Sequence, residues 1–201
     1  MAIQFSSELL GKYFAPGIDE FRSASIPDLS YRLEDATHWI SNHFLNSVAG
    51  RCYRTQWRQR VVTFLFRAQI ILRAYNEGRV KTLAFLASST PGRPATRTYF
   101  EALASWETVI LNIQMAIELL EKARDGKVRK GEDGARLWEM CNRVKHIGED
   151  ITKGLHPGEA TVPMWMANEG LTTRACKLTY HELAENVAAI ADVATELQNP
   201  Y

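Results

Sequence analysis

The chain has 201 residues, of which 46% are hydrophobic and 23% are charged, the proportions of an ordinary soluble globular protein with one sizeable core. Its formal net charge of +1 gives no bulk electrostatic reason to expect nucleic-acid binding. The three cysteines are odd in number and widely spaced, which excludes a disulfide framework and a zinc knuckle.

The N-terminal part predicts an arm followed by a helix. Residues 1–24 are mixed in character and break at Pro16, which is typical of an ordered arm or a short helix. Residues 25–28 read Ser-Ile-Pro-Asp, a capping serine with a proline and an acid suited to a first helical turn. We expect this first bundle helix to end near Val48.

A second helix is predicted from about Tyr53 to Tyr75. Its apolar residues extend beyond one face, so we expect neighbours on two sides. Gly78 predicts an end or a kink, with a continuation over residues 80–87.

The third helix is predicted to be the central one. After a proline- and glycine-rich loop over residues 88–94, Thr98 and Glu101 fit a capping box. The helix that follows is apolar on most sides and reaches about Ala123, which favours a position in the middle of the bundle.

A fourth helix is predicted over residues 133–153, after a polar connection over residues 125–134. Its apolar stripe includes Cys141 and Val144, and at 100° per residue His146 lies on the opposite side. The histidine therefore faces either water or a partner.

The C-terminal part predicts a hairpin and a last helix. Two short apolar runs, residues 164–167 and 171–178, flank a turn at 168–170, the pattern of a β-hairpin or flap. Thr179 and Glu182 then form a capping box. The expected fold is all-α: a bundle of four to five helices with a small hairpin before the last helix. Its parts are an arm (1–24), a bundle (25–153), a hairpin or flap (154–178) and a C-terminal helix (179–201).

His146 is the strongest candidate for chemistry. An exposed imidazole titrates near neutral pH and can transfer protons during RNA transesterification, while a nearby cation stabilises the phosphorane. Arg143 precedes it by one turn, Lys145 is adjacent, and Asn142 can orient the ring or a phosphate. The alternative is a solvated face on which Arg143 pairs with Glu139, and Lys145 pairs with a carboxylate one turn on.

Asn142, Lys145 and His146 on a late bundle helix resemble the signature helix of the HEPN domains (higher eukaryotes and prokaryotes nucleotide-binding). The resemblance implies an all-α, metal-independent ribonuclease of a bacterial toxin–antitoxin or defence system, with an active site between two paired domains. It implies His146 as acid/base and Asn142 as the polar motif residue, the orienting group. Arg143 is the candidate charge stabiliser, at a shorter spacing from the histidine than in the family pattern. The motif arginine would fall at position 141, where this chain has a cysteine. Cys141 lies on the apolar stripe, where it behaves as a small hydrophobe.

A second cluster of cations precedes and opens the second helix. Arg51, Arg54 and Arg58 follow i, i+3, i+7 spacing, and cations in a first turn oppose the helix dipole unless an anion relieves them. With Lys145 they form a candidate site for RNA or another anion, and the interleaved Trp57 is suited to stacking on bases. The alternative is a solvated basic face.

The sequence pattern predicts neither a metal site, nor a cofactor site, nor a membrane-spanning segment. Glu34 with His38, and His181 with Glu185, lack the spacing of a di-iron bundle, so we expect neither a metal nor a cofactor. Apolar runs fall short of the roughly 18–20 residues of a membrane span, and a signal-peptide pattern is absent. The expected protein is cytoplasmic and homodimeric, with RNA, an antitoxin or another protein as partner and no membrane. Its alternative function is that of a non-catalytic helical interaction or dimerisation module.

Overall fold

Seven α-helices and one small sheet make up the part of the chain that the computed structural model describes, residues 6–50, 55–123, 132–154 and 161–199. The helices are α1 (Ser7–Tyr13), α2 (Leu33–Gly50), α3 (Thr55–Ser88), α4 (Thr96–Ala123), α5 (Glu132–Lys145), α6 (Ile147–Thr152) and α7 (Tyr180–Leu197). The strands are β1 (Met164–Met166), β2 (Gly170–Thr173) and β3 (Lys177–Thr179). The expected all-α class, with a small hairpin before the last helix, is confirmed.

The antiparallel pair α3 and α4 forms the centre of the bundle. At Gly78 of α3, a Cβ atom would lie 2.9 Å from the indole of Trp106 on α4. Trp106 is fully buried, packs edge-on against Tyr75 and donates its indole N–H to Thr82 Oγ1 at 2.9 Å. The helix does not end at Gly78, and the expected continuation over residues 80–87 is present. The glycine allows a close helix contact, and α3 continues unbroken to Ser88.

α2 begins at Leu33, later than the predicted start at residues 25–28. Asp28 accepts a hydrogen bond from the backbone N–H of Ser30 at 2.9 Å, a local turn that competes with helix formation. Tyr75 donates its hydroxyl to the Pro27 carbonyl at 2.9 Å. The predicted first turn is instead a non-helical segment attached to α3.

α4 also begins where the sequence did not predict. The helix starts at Thr96, so the expected capping box at Thr98 and Glu101 is wrong. Glu101 instead accepts a hydrogen bond from Arg97 Nε at 2.8 Å, an i,i+4 pair within the first turns.

The sheet is an antiparallel meander in the order β1-β2-β3. The predicted hairpin is confirmed, but its second apolar run divides into two strands that turn back on each other around Ala175. Gly170 is required at the start of β2, because a Cβ atom there would overlap the Leu178 carbonyl oxygen. Buried Met164, Met166 and Leu171 attach the sheet to the bundle.

The N-terminal arm is ordered on the sheet and on α3. Asn168 accepts hydrogen bonds from the backbone N–H groups of Arg22 at 2.8 Å and Ser23 at 3.1 Å. Phe21 stacks on Phe85 of α3 with ring centroids 5.6 Å apart. The arm contains the short helix α1 as well, so both predicted features are present.

The last helix starts as predicted. Thr179 accepts a hydrogen bond from the Glu182 backbone N–H at 3.1 Å, and Glu182 accepts one from the Thr179 N–H at 2.8 Å, so the capping box is confirmed. α7 packs against α2 through buried His43, whose Nδ1 lies 2.8 Å from the Leu197 carbonyl oxygen.

Candidate functional site

His146 lies at a bend between α5 and α6. Its backbone torsions, φ −104° and ψ 20°, leave the helical region, and its carbonyl accepts hydrogen bonds from the N–H groups of Glu149 at 2.9 Å and Asp150 at 3.1 Å. The single helix predicted over residues 133–153 is therefore wrong. The bend brings Asp150 against Arg143, two residues that a straight helix would separate by about 10 Å along its axis.

Two carboxylates hold the Arg143 guanidinium. Its Nε donates to Glu139 at 2.8 Å, and its Nη1 donates to both oxygens of Asp150 at 3.0 and 3.1 Å. The hydrogen bonds from Arg143 hold the pKa of Asp150 below its ordinary value. The Glu139–Arg143 pair expected for a solvated face is confirmed. An arginine neutralised in this way has little charge left to stabilise a phosphorane.

The imidazole of His146 is exposed, with 57% of its side chain accessible. Its Nδ1 lies 3.2 Å from Glu149 Oε1, and Lys153 contacts the other oxygen of that carboxylate at 3.2 Å. These hydrogen bonds, the one from Lys153 first, lower the pKa of Glu149. The ring thus faces solvent beside an acidic residue.

Lys145 turns toward α4 rather than toward the next turn of its own chain. Its Nζ lies 3.9 Å from Glu118 Oε1, whereas the predicted alternative paired it with the carboxylate of Glu149. Asn142 is half-buried, and its carbonyl accepts the His146 backbone N–H at 2.9 Å. Asn142, Arg143 and His146 therefore lie at one bend. The two cations there are paired with carboxylates, Arg143 with Glu139 and Asp150, and Lys145 with Glu118.

Cys141 lies in the core, as the apolar stripe predicted. Its side chain is fully buried, and its Sγ donates to the Ile110 carbonyl at 3.0 Å. An arginine at this position would have to bury its charge between α5 and α4. The cysteine is therefore part of the packing between these helices, and the position does not face the His146 bend.

The predicted anion site is only partly within the described residues. Arg51 and Arg54 lie outside them. Arg58 is half-buried on α3, and its Nε atom is buried with no hydrogen-bond partner among the described residues. Lys145 does not join this site, since it pairs with Glu118 on α4. The side chain of Trp57 packs partly buried against the core, which limits the ring face that it offers to a base.

One functional signal was missed in the sequence: the segregation of charge. Residues 36–76 contain no aspartate or glutamate but contain Arg51, Arg54, Arg58, Arg60, Arg67 and Arg73. Because the net charge of the whole chain is only +1, the remainder is acidic on balance. A charge count by segment would have found this basic stretch, which the average for the chain conceals.

Seven described residues of this stretch are called the basic face: Phe44 and Leu45 of α2, Arg58, Val62 and Phe66 of α3, and Arg60 and Arg67 on the adjoining side of α3, which faces α4. A groove of about 320 Å³ lies between the helices and is lined by Phe44, Arg58, Gln59, Val62 and Thr63. Phe44, Leu45 and Phe66 are 51%, 70% and 52% exposed. Large apolar side chains in water beside cations are typical of a binding surface.

The arginines of the basic face have neutral partners. Arg60 donates to the Lys122 backbone carbonyl at 2.7 Å, and Arg67 donates to Asn112 Oδ1 at 2.9 Å. By contrast, Arg32, Arg79 and Arg136 elsewhere each contact a carboxylate. The charge of the basic face is therefore not compensated within the described residues.

The described residues contain no group of three or more histidine, cysteine or acidic side chains placed to hold a metal ion. In the same part of the chain, Thr96–Lys122 is long and apolar enough to cross a membrane by length and composition alone. Half of its most apolar window is buried in the bundle, as in a core helix.

No protein-family model, no curated protein and no solved structure matches this chain. A functional conclusion therefore depends on the geometry described above.

Proposed function

We propose that this chain is a non-catalytic helical interaction module. The observation that supports the proposal best is the basic face, where exposed aromatic and aliphatic side chains lie beside arginines that pair with no carboxylate in the described part of the chain. A binding surface of this kind needs a partner to cover its apolar groups and to compensate its charge.

The surroundings of His146 also support this proposal, because they are poorly suited to RNA cleavage. Catalysis of RNA cleavage needs a cation available to the phosphorane as well as a proton-transfer group. Arg143 is engaged by Glu139 and Asp150, and Lys145 lies next to Glu118. The carboxylates around the imidazole would also repel an RNA backbone.

An RNA-cleavage assay tests this proposal. Purified protein is incubated with structured and single-stranded RNAs in the presence of a chelator, in parallel with His146→Ala. We expect no cleavage above a buffer control, and no difference between the two proteins. Metal-independent cleavage that disappears with His146→Ala would refute the interaction-module proposal.

A metal-independent ribonuclease of the HEPN type is the second candidate, and one observation favours it. Glu149 contacts Nδ1 of the exposed imidazole, the arrangement by which a carboxylate orients a histidine for proton transfer at its other nitrogen. In this candidate His146, Arg143 and Asn142 keep their predicted roles. The homodimer, the RNA or antitoxin partner, the absence of a membrane partner and the cytoplasmic location stay predictions under either candidate.

A further inference from the structure

We infer that the basic face binds an acidic amphipathic α-helix of a partner protein. The inference rests on the proposed interaction function and specifies the chemistry of the partner. Three properties of the surface support it: its charge, its apolar anchors and its shape.

The charge of the surface selects an acidic partner. Arg58 lines the groove and has no carboxylate partner among the described residues. Arg60 and Arg67 lie on the side of α3 that faces α4, where their hydrogen-bond acceptors are a carbonyl and an amide, so they add positive charge beside the groove. A partner with carboxylates along one face would complement this charge. Glu118, at the far edge, is engaged by Gln114 and Lys145.

The apolar side chains select an amphipathic partner. Phe44 lines the groove on the α2 side and Val62 on the α3 side, and Phe66 follows Val62 by one turn of α3. Leu45, next to Phe44 in sequence, is exposed as well. Burial of an exposed Phe or Leu side chain against a partner is favourable, a gain that a purely acidic ligand without an apolar face cannot make.

The shape of the surface favours a helix over a nucleic acid. The groove runs between two helices, so a third helix can lie along it with apolar residues at i, i+3, i+4 and i+7. Its apolar lining is suited to Leu or Phe anchors. Trp57 is packed partly buried against the core, but the exposed rings of Phe44 and Phe66 could also stack on bases. The groove between two helices is therefore what favours a helical partner, and RNA is the competing occupant in the test.

Fluorescence anisotropy with a defined probe tests the inference. The probe is a labelled 18-residue helical peptide with leucines at i, i+3, i+4 and i+7 and glutamates at most other positions. A scrambled peptide of the same composition keeps the charge but has no apolar face, and a labelled 15-nucleotide oligouridylate represents RNA. We expect saturable binding of the amphipathic peptide, with an affinity that falls as salt rises because the charges are screened.

Matched variants locate the contact. Phe66→Gln should weaken peptide binding by about tenfold, whereas Val80→Gln, an equally exposed apolar position farther along α3, should not change it. Arg58→Gln should weaken binding by about fivefold, and Arg93→Gln in the exposed loop should not. Urea unfolding of each variant verifies that all four proteins are folded.

The inference fails if the scrambled peptide binds as tightly as the amphipathic one, if Phe66→Gln has no effect, or if oligouridylate binds more tightly than the peptide. These outcomes differ from failure of the proposed function, which is read out by RNA cleavage. A protein that cleaves RNA and also binds the peptide would refute the first proposal and leave the second standing.

Discussion

At the scale of single residues, Cys141 is fully buried between α5 and α4, whereas His146, five residues later, is exposed to solvent. Helical periodicity places Cys141 in the core and His146 outside it, and both side chains lie there. Periodicity cannot reveal the bend after Lys145, because it assumes that the helix continues. The ion pair between Arg143 and Asp150 depends on that bend, so it too was beyond prediction from the sequence.

Cys141→Arg tests whether position 141 can hold the motif arginine. We expect a loss of about 3 kcal/mol or more in the free energy of unfolding, because the guanidinium would enter a fully buried site beside the Ile110 carbonyl. Urea denaturation monitored by circular dichroism measures the loss.

Cys141→Ala is the control for that substitution and should cost only about 1 kcal/mol, since it removes one sulfur and its weak hydrogen bond. A stable Cys141→Arg protein with new ribonuclease activity would contradict the expectation and support the HEPN candidate.

At the scale of secondary-structure elements, local signals predict helix ends only where tertiary contacts agree with them. The capping box at Thr179 forms as predicted because β3 ends at this residue, whose backbone is extended as an N-cap requires. The serine–proline signal at residues 25–28 fails because Asp28 forms its own turn and Tyr75 anchors Pro27. Gly78 was read as a helix breaker, although its role is to admit Trp106.

Gly78→Ala should destabilise the protein in spite of the better helix propensity of alanine. The new methyl group would lie 2.9 Å from the buried Trp106 indole, and forcing α3 and α4 apart should cost about 1–3 kcal/mol, more than the gain in propensity. The unfolding free energy in urea measures the net effect.

Gly148→Ala is the matched control. This glycine lies in α6 with no atom within 4 Å of the position of a Cβ, so alanine should be neutral or stabilise by up to about 1 kcal/mol. Equal effects of the two substitutions would show that the α3–α4 contact is not close at Gly78.

At the scale of the whole molecule, composition and periodicity predict the fold class, the central apolar helix and the hairpin. Helical periodicity and the turn at residues 168–170 depend on residues close together in sequence, so they can be predicted. The basic face depends on the packing of α2 against α3, which places Phe44 and Val62 in one groove. Only its acid-free sequence could have indicated it.

Stability should fall in acid because several carboxylates are hydrogen-bonded in the folded protein. The pKa values of Asp28, Glu149, Asp150 and Glu169 are lowered by their hydrogen-bond partners. Their contribution is complete above the ordinary values of 3.8 for Asp and 4.5 for Glu, and is lost as the pH falls through the lower folded values. Glu107, whose pKa burial raises, contributes with the opposite sign.

Urea midpoints between about pH 6.5 and pH 3 measure this dependence. They should be nearly constant in the upper part of that range and should decrease below about pH 4.5. Asp150→Asn should make the decrease in the urea midpoint at low pH smaller, because it removes one of the carboxylates whose pKa is lowered by folding. A decrease that Asp150→Asn leaves unchanged would show that the Arg143–Asp150 ion pair does not hold in solution.

The chain is nearly neutral, but the described arginines of the basic face have no carboxylate partner among the described residues. The electrostatic potential close to this surface should therefore be positive and should attract an anionic partner over about a Debye length, before any specific contact forms. An anionic partner attracted to this surface would arrive next to the exposed side chains of Phe44 and Phe66.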